Sequence, residues 1–355
     1  MTLILLLKLK TMTKKLKVGV IGLGSMGSTH LDIYSQISDV EVIAVADSIQ
    51  SRLDGSSKAE GNISGQARGS VSGLKARKYI DGMELINDPE IELVDICVGT
   101  NLHFVFVQAA LAKGKHVLVE KPLARTYDEA KKIVQLATNS SSNIMSAMCL
   151  RYWPAWVWLK DAIESEVYGK CLSLNCRRQT SPPDGAFYSN HEECGGALLD
   201  LHVHDTDFIN YCFGMPSAVF SQGHKGPSGG IDHVVTNYIY DQSMDIPLVS
   251  AEGSWTMQDG YGFNMSYTAN FENATACYLL DSEETLKLYR SGHQSEAIEL
   301  KEGMGYEFEI RSFVDEILSG KESNLVLLNQ AAESIAIIEA EQLSIKSCSV
   351  VTVKA

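Results

Sequence analysis

The sequence is short of basic charge, of paired cysteines and of long apolar runs. Lys and Arg number 30 against 44 Asp and Glu, which gives a formal net charge of −14. Nucleic acids and acidic membrane surfaces are bound by clustered positive charge. We therefore predict no nucleic-acid partner and no membrane partner.

The eight cysteines include no C-x-x-C pair, and several lie within apolar segments. Zinc sites and disulfide frameworks use characteristic cysteine spacings that are missing here. The cysteines are therefore predicted to be reduced, buried thiols, as is typical of a cytosolic protein.

The apolar run at residues 3–7 is too short to cross a bilayer. No basic residue precedes it and no small-residue cleavage site follows it, in contrast to a secretory signal. We expect residues 1–13 to be a disordered extension and the protein to be cytoplasmic.

A glycine-rich turn joins the first predicted strand to the first predicted helix. Gly22, Gly24 and Gly27 have the G-x-G-x-x-G spacing of a dinucleotide-binding turn. The first glycine permits the tight turn, the second lets the backbone approach a pyrophosphate, and the third lets the helix pack on the strand. The helix N-terminus, with Ser25 and Met26, offers free N–H groups to the phosphates.

Asp47 ends the next apolar run, twenty residues after Gly27. A carboxylate at this point accepts hydrogen bonds from the adenosine ribose and repels a 2′-phosphate. NAD is therefore the predicted cofactor. Ser48 and Arg52 keep NADP open, because a nearby arginine can accept that phosphate.

The first half of the chain predicts a Rossmann domain over residues 14–148. Continuous apolar strands that alternate with helices indicate a doubly wound parallel sheet. The predicted strands are 17–22, 41–46, 93–98, 115–119 and 144–149, and the predicted helices are 25–36, 104–113 and 126–138. The Ser- and Gly-rich stretch 51–73 is expected to hold a helix and a flexible loop.

Residues 149–355 predict a second α/β domain, for substrate binding and oligomerisation. Alternating runs indicate a large, mostly antiparallel open sheet. The predicted strands are 170–179, 218–225, 233–241, 247–256, 265–271, 275–280 and 285–290, and the predicted helices are 153–166, 306–319 and 328–343. The last helix is expected to pack back on the first domain.

Polar residues follow the third and fourth predicted strands of the first domain. Ligands of open parallel sheets bind outside the carboxyl ends of the strands. One such end carries Thr100, Asn101 and His103, and the next carries Glu120 and Lys121 before a proline. Lys121 is therefore expected to point toward the nicotinamide.

A second group of polar residues occupies a segment predicted as one helix from residue 195 to residue 214. Asp200, His204, Asp207 and Tyr211 fall on one stripe of that helix. A carboxylate one turn from an imidazole raises the basicity of the imidazole and orients it. Metal binding by this Asp- and His-rich segment is the less favoured alternative, since His202 and His204 would share a face only on a strand.

These motifs resemble the glucose-fructose oxidoreductase / inositol dehydrogenase / MocA (Gfo/Idh/MocA) family. The matching segments are residues 22–27, 100–103, 114–122, 151–152 and 195–200, together with His204. The resemblance implies a Rossmann domain followed by an open-sheet α/β domain. It also implies an NAD(P)-dependent enzyme acting on sugars or polyols, with Lys121, Asp200 and His204 in the active site.

The sequence thus predicts hydride transfer between NAD and a secondary alcohol or ketone of a sugar or polyol. His204 would be the general base and Lys121 would stabilise the alkoxide, or Lys121 would carry the proton itself. Arg151 and Tyr152 are candidate substrate residues. Two alternatives remain open: a dihydrodiol dehydrogenase or carbonyl reductase, and a non-catalytic NAD-binding regulator.

A homodimer or homotetramer is predicted from the second sheet. Its strands carry apolar side chains for which the sequence offers few covering helices, and soluble monomers rarely expose large apolar patches. The residues concerned are Val234, Val235, Tyr238, Ile239, Tyr240, Trp255, Tyr267 and Phe271.

Overall fold

The computed structural model describes residues 14–57, 69, 71–241, 243, 245–321 and 325–354. The predicted extension at residues 1–13 lies outside the described residues. So do residues 58–68 and 70, where the flexible loop of the Ser- and Gly-rich stretch was predicted. The helix expected in that stretch is a four-residue turn, Gln50–Leu53.

The first sheet is parallel and has six strands in the order β3-β2-β1-β4-β5-β6. These strands are β1 Leu16–Ile21, β2 Val40–Ala46, β3 Arg77–Tyr79, β4 Leu93–Ile96, β5 His116–Glu120 and β6 Ile144–Ala147. Its helices are α1 Ser25–Ser35, α2 Gln50–Leu53, α3 Gly82–Asn87, α4 His103–Ala112 and α5 Tyr127–Thr138. The order reverses at β1, so the carboxyl ends of β1 and β4 flank the crevice where doubly wound sheets bind dinucleotides.

The second sheet has nine strands, in the order β14-β13-β12-β11-β7-β10-β9-β8-β15. Its strands are β7 Cys171–Thr180, β8 Ala218–Lys225, β9 Ile231–Ile239, β10 Leu248–Ser254, β11 Phe263–Phe271, β12 Thr275–Leu279, β13 Leu286–Tyr289, β14 Glu296–Ala297 and β15 Val351–Thr352. All neighbours are antiparallel except β7 and β10, which are parallel. The predicted fold class is therefore confirmed.

The described residues of this second half form six α-helices. They are α6 Pro154–Ser165, α7 His191–Cys194, α8 Gly196–Asp200, α9 Val203–Phe213, α10 Gly305–Leu318 and α11 Leu325–Ser347. Helix α11 also contacts α5, where Glu339 accepts a hydrogen bond from the Tyr127 backbone N–H at 2.8 Å. The boundary at residues 148 and 149 stays a prediction.

Most of the apolar residues that motivated the oligomer prediction are not on an uncovered face. Tyr238, Trp255, Tyr267 and Phe271 are each at most 5% exposed. Trp156 of α6 covers part of this face, with its ring 5.4 Å from the ring of Tyr267. The premise fails for these four residues, because strand alternation defines two faces without telling which one the helices cover. It holds for Val235 and Ile239, which are 41% and 36% exposed.

All eight cysteines lie among the described residues and are free thiols. The prediction that they are buried is correct for Cys149, Cys176 and Cys194, whereas four others are half-buried and Cys348 is exposed. Within the described part of the chain, no helix combines the length and apolar character needed to cross a membrane.

Candidate active site

The turn between β1 and α1 forms a cradle for a phosphate group. Gly22 has φ +91°, and a side chain there would collide with the carbonyl of Cys97. A side chain at Gly27 would collide with the carbonyl of Gly22, so that glycine allows the close packing of helix and strand. At Gly24 no heavy atom lies within 4 Å of where a Cβ would be, so the backbone there is open to a ligand. The three positions fit the pyrophosphate of a dinucleotide.

Asp47 at the end of β2 stabilises this cradle. One carboxylate oxygen accepts from the Leu23 backbone N–H at 2.7 Å, and the other accepts from the Ile49 N–H at 2.8 Å. The Arg52 guanidinium lies 3.3 Å from the same carboxylate. Asp47 therefore binds the glycine turn as well as facing the cavity that it lines together with Arg52.

A cavity of about 750 Å³ runs from Asp47 to Lys121 along the carboxyl edge of the first sheet. The predicted cofactor residues that line it are Gly22, Gly24, Ser25, Met26, Asp47, Thr100, Glu120 and Lys121. Gly27, Asn101 and His103 are not part of this lining. The ring nitrogens of the buried His103 lie 2.9 Å from the Pro122 carbonyl oxygen and 3.1 Å from that of Val98. His103 thus fixes the strand-end loops instead of contacting the cavity.

Lys121 and Asp200 form an ion pair at the inner end of this cavity. Lys121 Nζ donates to the Asp200 main-chain carbonyl at 2.8 Å and to its carboxylate at 3.1 Å. Both side chains keep 13–15% of their surface exposed. The pair is therefore held in place and still open to a ligand.

The structure corrects the predicted pairing of Asp200 with His204. The predicted single helix is two helices, α8 ending at Asp200 and α9 beginning at Val203. At the break, the His202 N–H bonds back to the Ala197 carbonyl at 2.8 Å. Asp200 contacts Lys121 instead of the His204 imidazole, so the basicity predicted from i, i+4 spacing does not arise.

The pKa of His204 is in fact lowered well below its ordinary value. Burial is the main cause, and the positive charges of Lys121 and Arg178 act in the same direction. Its Nδ1 lies 3.9 Å from the Cys149 sulfur. His204 is therefore a neutral imidazole at pH 7, which is the form that can accept a proton.

A second cavity, of about 200 Å³, adjoins the first and is shaped by the second domain. Lys121, Asp200 and Glu120 line both cavities, whereas His204 and Arg178 line only this one. Its aromatic residues are Trp153, Tyr188, Trp255, Phe263 and Tyr306. Such a pocket combines ring surfaces with a few polar groups, as small-molecule sites do.

Arg151 and Tyr152, the predicted substrate residues, line neither cavity. The Arg151 guanidinium forms a two-bond ion pair with Asp207, at 2.7 and 2.8 Å, and both side chains are buried. Tyr152 lies beside Met145, 3.5 Å from its sulfur. We correct their assignment: Arg151 anchors α9 to the start of the second domain.

The sequence analysis missed a buried polar cluster behind the cavity. His30 Nδ1 lies 2.8 Å from Asp95, and its Nε2 lies 3.3 Å from Glu120. Cys97 completes the cluster, 3.3 Å from the Asp95 carboxylate. Burial opposes a charge on His30, but Asp95 and Cys97 hold its pKa well above the ordinary value. The signal available was an unexplained His on α1 and an Asp inside an apolar strand.

Comparison with known families identifies both halves of the chain. Residues 16–147 match the model of the oxidoreductase family with an NAD-binding Rossmann fold. Residues 156–276 match the model of the GFO/IDH/MocA C-terminal domain. The chain belongs to the Gfo/Idh/MocA family. NAD binding by the first half agrees with the phosphate cradle described above.

Relatives with curated names include inositol dehydrogenases. Myo-inositol 2-dehydrogenase of Thermotoga maritima is 28% identical over 229 residues, which is 62% of this chain and 64% of that protein. Inositol 2-dehydrogenase of Salmonella typhimurium is 32% identical over 198 residues, or 55% of this chain and 54% of that one. The matches thus span between half and two thirds of these relatives.

Among solved structures, levoglucosan dehydrogenase in complex with NADH and levoglucosan has a similar fold. The TM-score is 0.81 at 21% identity, over 96% of this chain and 100% of that one. This similarity supports the architecture of both sheets.

Proposed function

We propose that this protein is an NAD-dependent dehydrogenase acting on a secondary alcohol of a sugar, a polyol such as an inositol, or a sugar derivative. The reverse reaction would reduce the corresponding ketone. The observation that carries this proposal is the convergence of Lys121, Asp200 and His204 on one pocket at the inner end of the cofactor cavity. Relatives named inositol dehydrogenases support the same substrate class.

The cradle at Gly24 and the α1 N-terminus would hold the pyrophosphate, and Asp47 would hold the adenosine ribose. When bound, NAD⁺ supplies the acceptor for the hydride. The open backbone at Gly24 and the position of Asp47 on the same cavity support this placement. Met26 and Glu120, which line both cavities, lie between the cofactor cavity and the pocket that would hold the substrate.

His204 would accept the proton of the reacting hydroxyl group. Its imidazole is neutral because its pKa is lowered, so it can act as a base without first losing a proton. Lys121 would donate a hydrogen bond to the same oxygen and stabilise its developing negative charge. Asp200 would hold Lys121 in place. Positioned proton transfer of this kind contributes about 10²–10⁴-fold to a rate.

Lys121 is the alternative proton acceptor, provided that it first loses its own proton. Its Nζ already donates to the Asp200 carboxylate at 3.1 Å and to the Asp200 main-chain carbonyl at 2.8 Å. That pairing favours His204 as the base and Lys121 as the group that stabilises charge.

A dihydrodiol dehydrogenase or carbonyl reductase is a second candidate activity. Five aromatic side chains line the substrate pocket, and aromatic rings bury flat apolar ligands as well as the faces of sugar rings. A substrate panel distinguishes these readings: myo-inositol, levoglucosan and glucose on one side, and an aromatic dihydrodiol on the other.

The test is NADH formation with that panel in the wild type and in Lys121→Ala. We expect turnover of a polyol or sugar that Lys121→Ala abolishes while it still binds NADH. Lys113→Ala is the matched control, an exposed lysine at the end of α4. Tight NADH binding without turnover of any substrate would favour the non-catalytic regulator.

We also propose a homodimer or homotetramer located in the cytoplasm. Free thiols support the reducing compartment. The proposed oligomer interface is the sheet face opposite the helices, where Val235 and Leu248 are 41% and 82% exposed.

A further inference from the structure

A third cavity, of about 500 Å³, lies apart from the cofactor and substrate pockets. The loop after β5, helix α8, the β8–β9 hairpin and helix α11 form its walls. Its floor is apolar, and Leu198, Leu199, Ile335 and Ile338 are each at most 6% exposed. Small-molecule pockets typically have volumes of about 300–1,000 Å³, so this cavity is large enough for a ligand.

The rim of this cavity is positively charged. Arg125, Lys225 and Lys346 line it, and none of the three forms an ion pair with a carboxylate of the described residues. Glu339 is the single acidic residue of the lining, and its carboxylate accepts from the Tyr127 N–H. The lining thus has three cationic side chains and one carboxylate, whereas the chain as a whole has a formal net charge of −14.

One hydrogen-bond donor of Arg125 has no acceptor among the described residues. Its Nη1 atom is buried without an acceptor, and its Nη2 lies 3.4 Å from the His191 carbonyl. Gly195 has φ +84°, and a side chain there would collide with Nη1, so the backbone leaves room for the guanidinium. The guanidinium makes one hydrogen bond, to the His191 carbonyl, and therefore keeps donor capacity for a ligand at this wall of the cavity.

We propose that this cavity binds a small amphipathic carboxylate. The carboxylate would contact Arg125, whose planar guanidinium matches it, together with the rim lysines. The apolar body would cover the Leu and Ile floor. An inorganic anion alone would leave that floor wet, and a neutral apolar molecule would leave the cations without an acceptor.

Residues close in sequence to both members of the Lys121–Asp200 pair line this cavity. Arg125 follows Lys121 by four residues in one loop, and Leu199 directly precedes Asp200 in α8. Because both elements face the ligand on one side and the catalytic pocket on the other, an occupied cavity is expected to change NADH affinity. Bound NADH would then change the affinity for the carboxylate by the same factor, because coupling between two binding sites is reciprocal.

The test is calorimetric titration of the full chain with octanoate, and with acetate, inorganic phosphate and octan-1-ol as comparison probes. We expect saturable binding of octanoate and at least tenfold weaker binding of the other three. The double variant Lys225→Gln/Lys346→Gln should bind octanoate about tenfold more weakly, since each lost charged contact at an exposed position weakens binding about threefold. Both lysines are exposed, so folding is not at risk.

Lys78→Gln is the matched control, an exposed lysine on β3. No saturable octanoate binding, equal binding of octan-1-ol, or unchanged binding in the double variant would each overturn the assignment. NADH affinity, measured by fluorescence with and without saturating octanoate, tests the coupling, and an unchanged affinity would overturn it. None of these measurements needs turnover, so they are independent of the proposed dehydrogenase activity.

Discussion

The ammonium group of Lys121 is bound by Asp200 through two oxygens, the main-chain carbonyl at 2.8 Å and the carboxylate at 3.1 Å. The two residues are 79 positions apart in the chain and come from the two halves of the molecule. The pair therefore joins the cofactor-binding sheet to α8, and it fixes the lysine where the two cavities meet. Its integrity should matter for catalysis more than for cofactor binding.

Removing Lys121 should abolish most activity. We expect Lys121→Ala to lower kcat by about 10²–10⁴-fold, because the oxygen of the substrate loses its charged hydrogen-bond donor. Asp200→Asn should be milder, because the Asp200 main-chain carbonyl still accepts from Lys121. Steady-state kinetics with the substrate from the panel measures both changes. Equal losses in the two variants would show that the carboxylate has a direct chemical role.

His204 should make the protein less stable in acid. Its pKa in the folded state lies below the ordinary 6.5. As the pH falls below 6.5, this histidine therefore binds a proton more readily in the unfolded chain than in the folded one. The free energy of unfolding therefore decreases with falling pH, by about 1.4 kcal/mol per pH unit for this one proton. The stabilisation is complete above pH 6.5.

Urea unfolding of wild type and His204→Asn between about pH 7 and pH 5 isolates this contribution. We expect the wild type to lose more stability over this interval than the variant does. The acid limb of the kcat/KM profile should also lie below pH 6.5. Parallel stability curves for the two proteins would show that His204 is not held neutral.

Cofactor preference should follow Asp47. We expect NADH to bind at least about tenfold more tightly than NADPH, because a 2′-phosphate would meet the carboxylate. Arg52→Gln should weaken NADPH further and leave NADH nearly unchanged. Fluorescence titration measures all four affinities. Tighter binding of NADPH by the wild type would mean that Arg52, 3.3 Å from Asp47, determines the preference.

The Arg151–Asp207 pair should affect stability and not substrate binding. Removing one partner of a buried ion pair costs about 3–5 kcal/mol. We therefore expect Arg151→Met to lower the free energy of unfolding by that amount and to leave KM of the folded enzyme unchanged. The double variant Arg151→Met/Asp207→Leu should be more stable than the single one, since it leaves no buried charge alone. A raised KM in Arg151→Met would show that Arg151 contributes to substrate binding after all.

Local sequence signals predicted the glycine turn and the parallel first sheet well. The motif of Gly22, Gly24 and Gly27, followed by Asp47, can be interpreted from residues close in sequence and from rules common to parallel sheets. The carboxyl-end rule also placed Lys121 correctly on the cavity. These features need no knowledge of how distant segments pack.

The failures of prediction depend on long-range packing. Helix spacing paired Asp200 with His204, yet the helix breaks between them, where the buried His202 packs against Gly253. Lys121 and Asp200 meet across 79 residues, which no local pattern reports. Likewise, the sequence analysis assigned Arg151 to the substrate pocket. Its buried partner Asp207 lies 56 residues away, so no local pattern indicates their ion pair.

Oligomerisation should use the sheet face that the helices leave uncovered. Ile239, Val235 and Leu248 are 36%, 41% and 82% exposed, and they alternate along their strands with buried residues such as Tyr238 and Val249. Polar pairs share this face, among them Arg177 with Glu252 at 3.0 Å. A mixed face of this kind is typical of interfaces between copies of a chain.

Sedimentation velocity at micromolar concentration should show a dimer or tetramer for the wild type. Leu248→Asp, alone or with Val235→Asp, should shift it toward monomer, since each places a charge among apolar neighbours on the proposed interface. Tyr238→Phe is the control on the opposite face, where it removes only the buried hydroxyl bonded to Thr206 at 2.8 Å. A wild type that sediments as a monomer, or an oligomer unaffected by Leu248→Asp, would show that this sheet face is simply solvated.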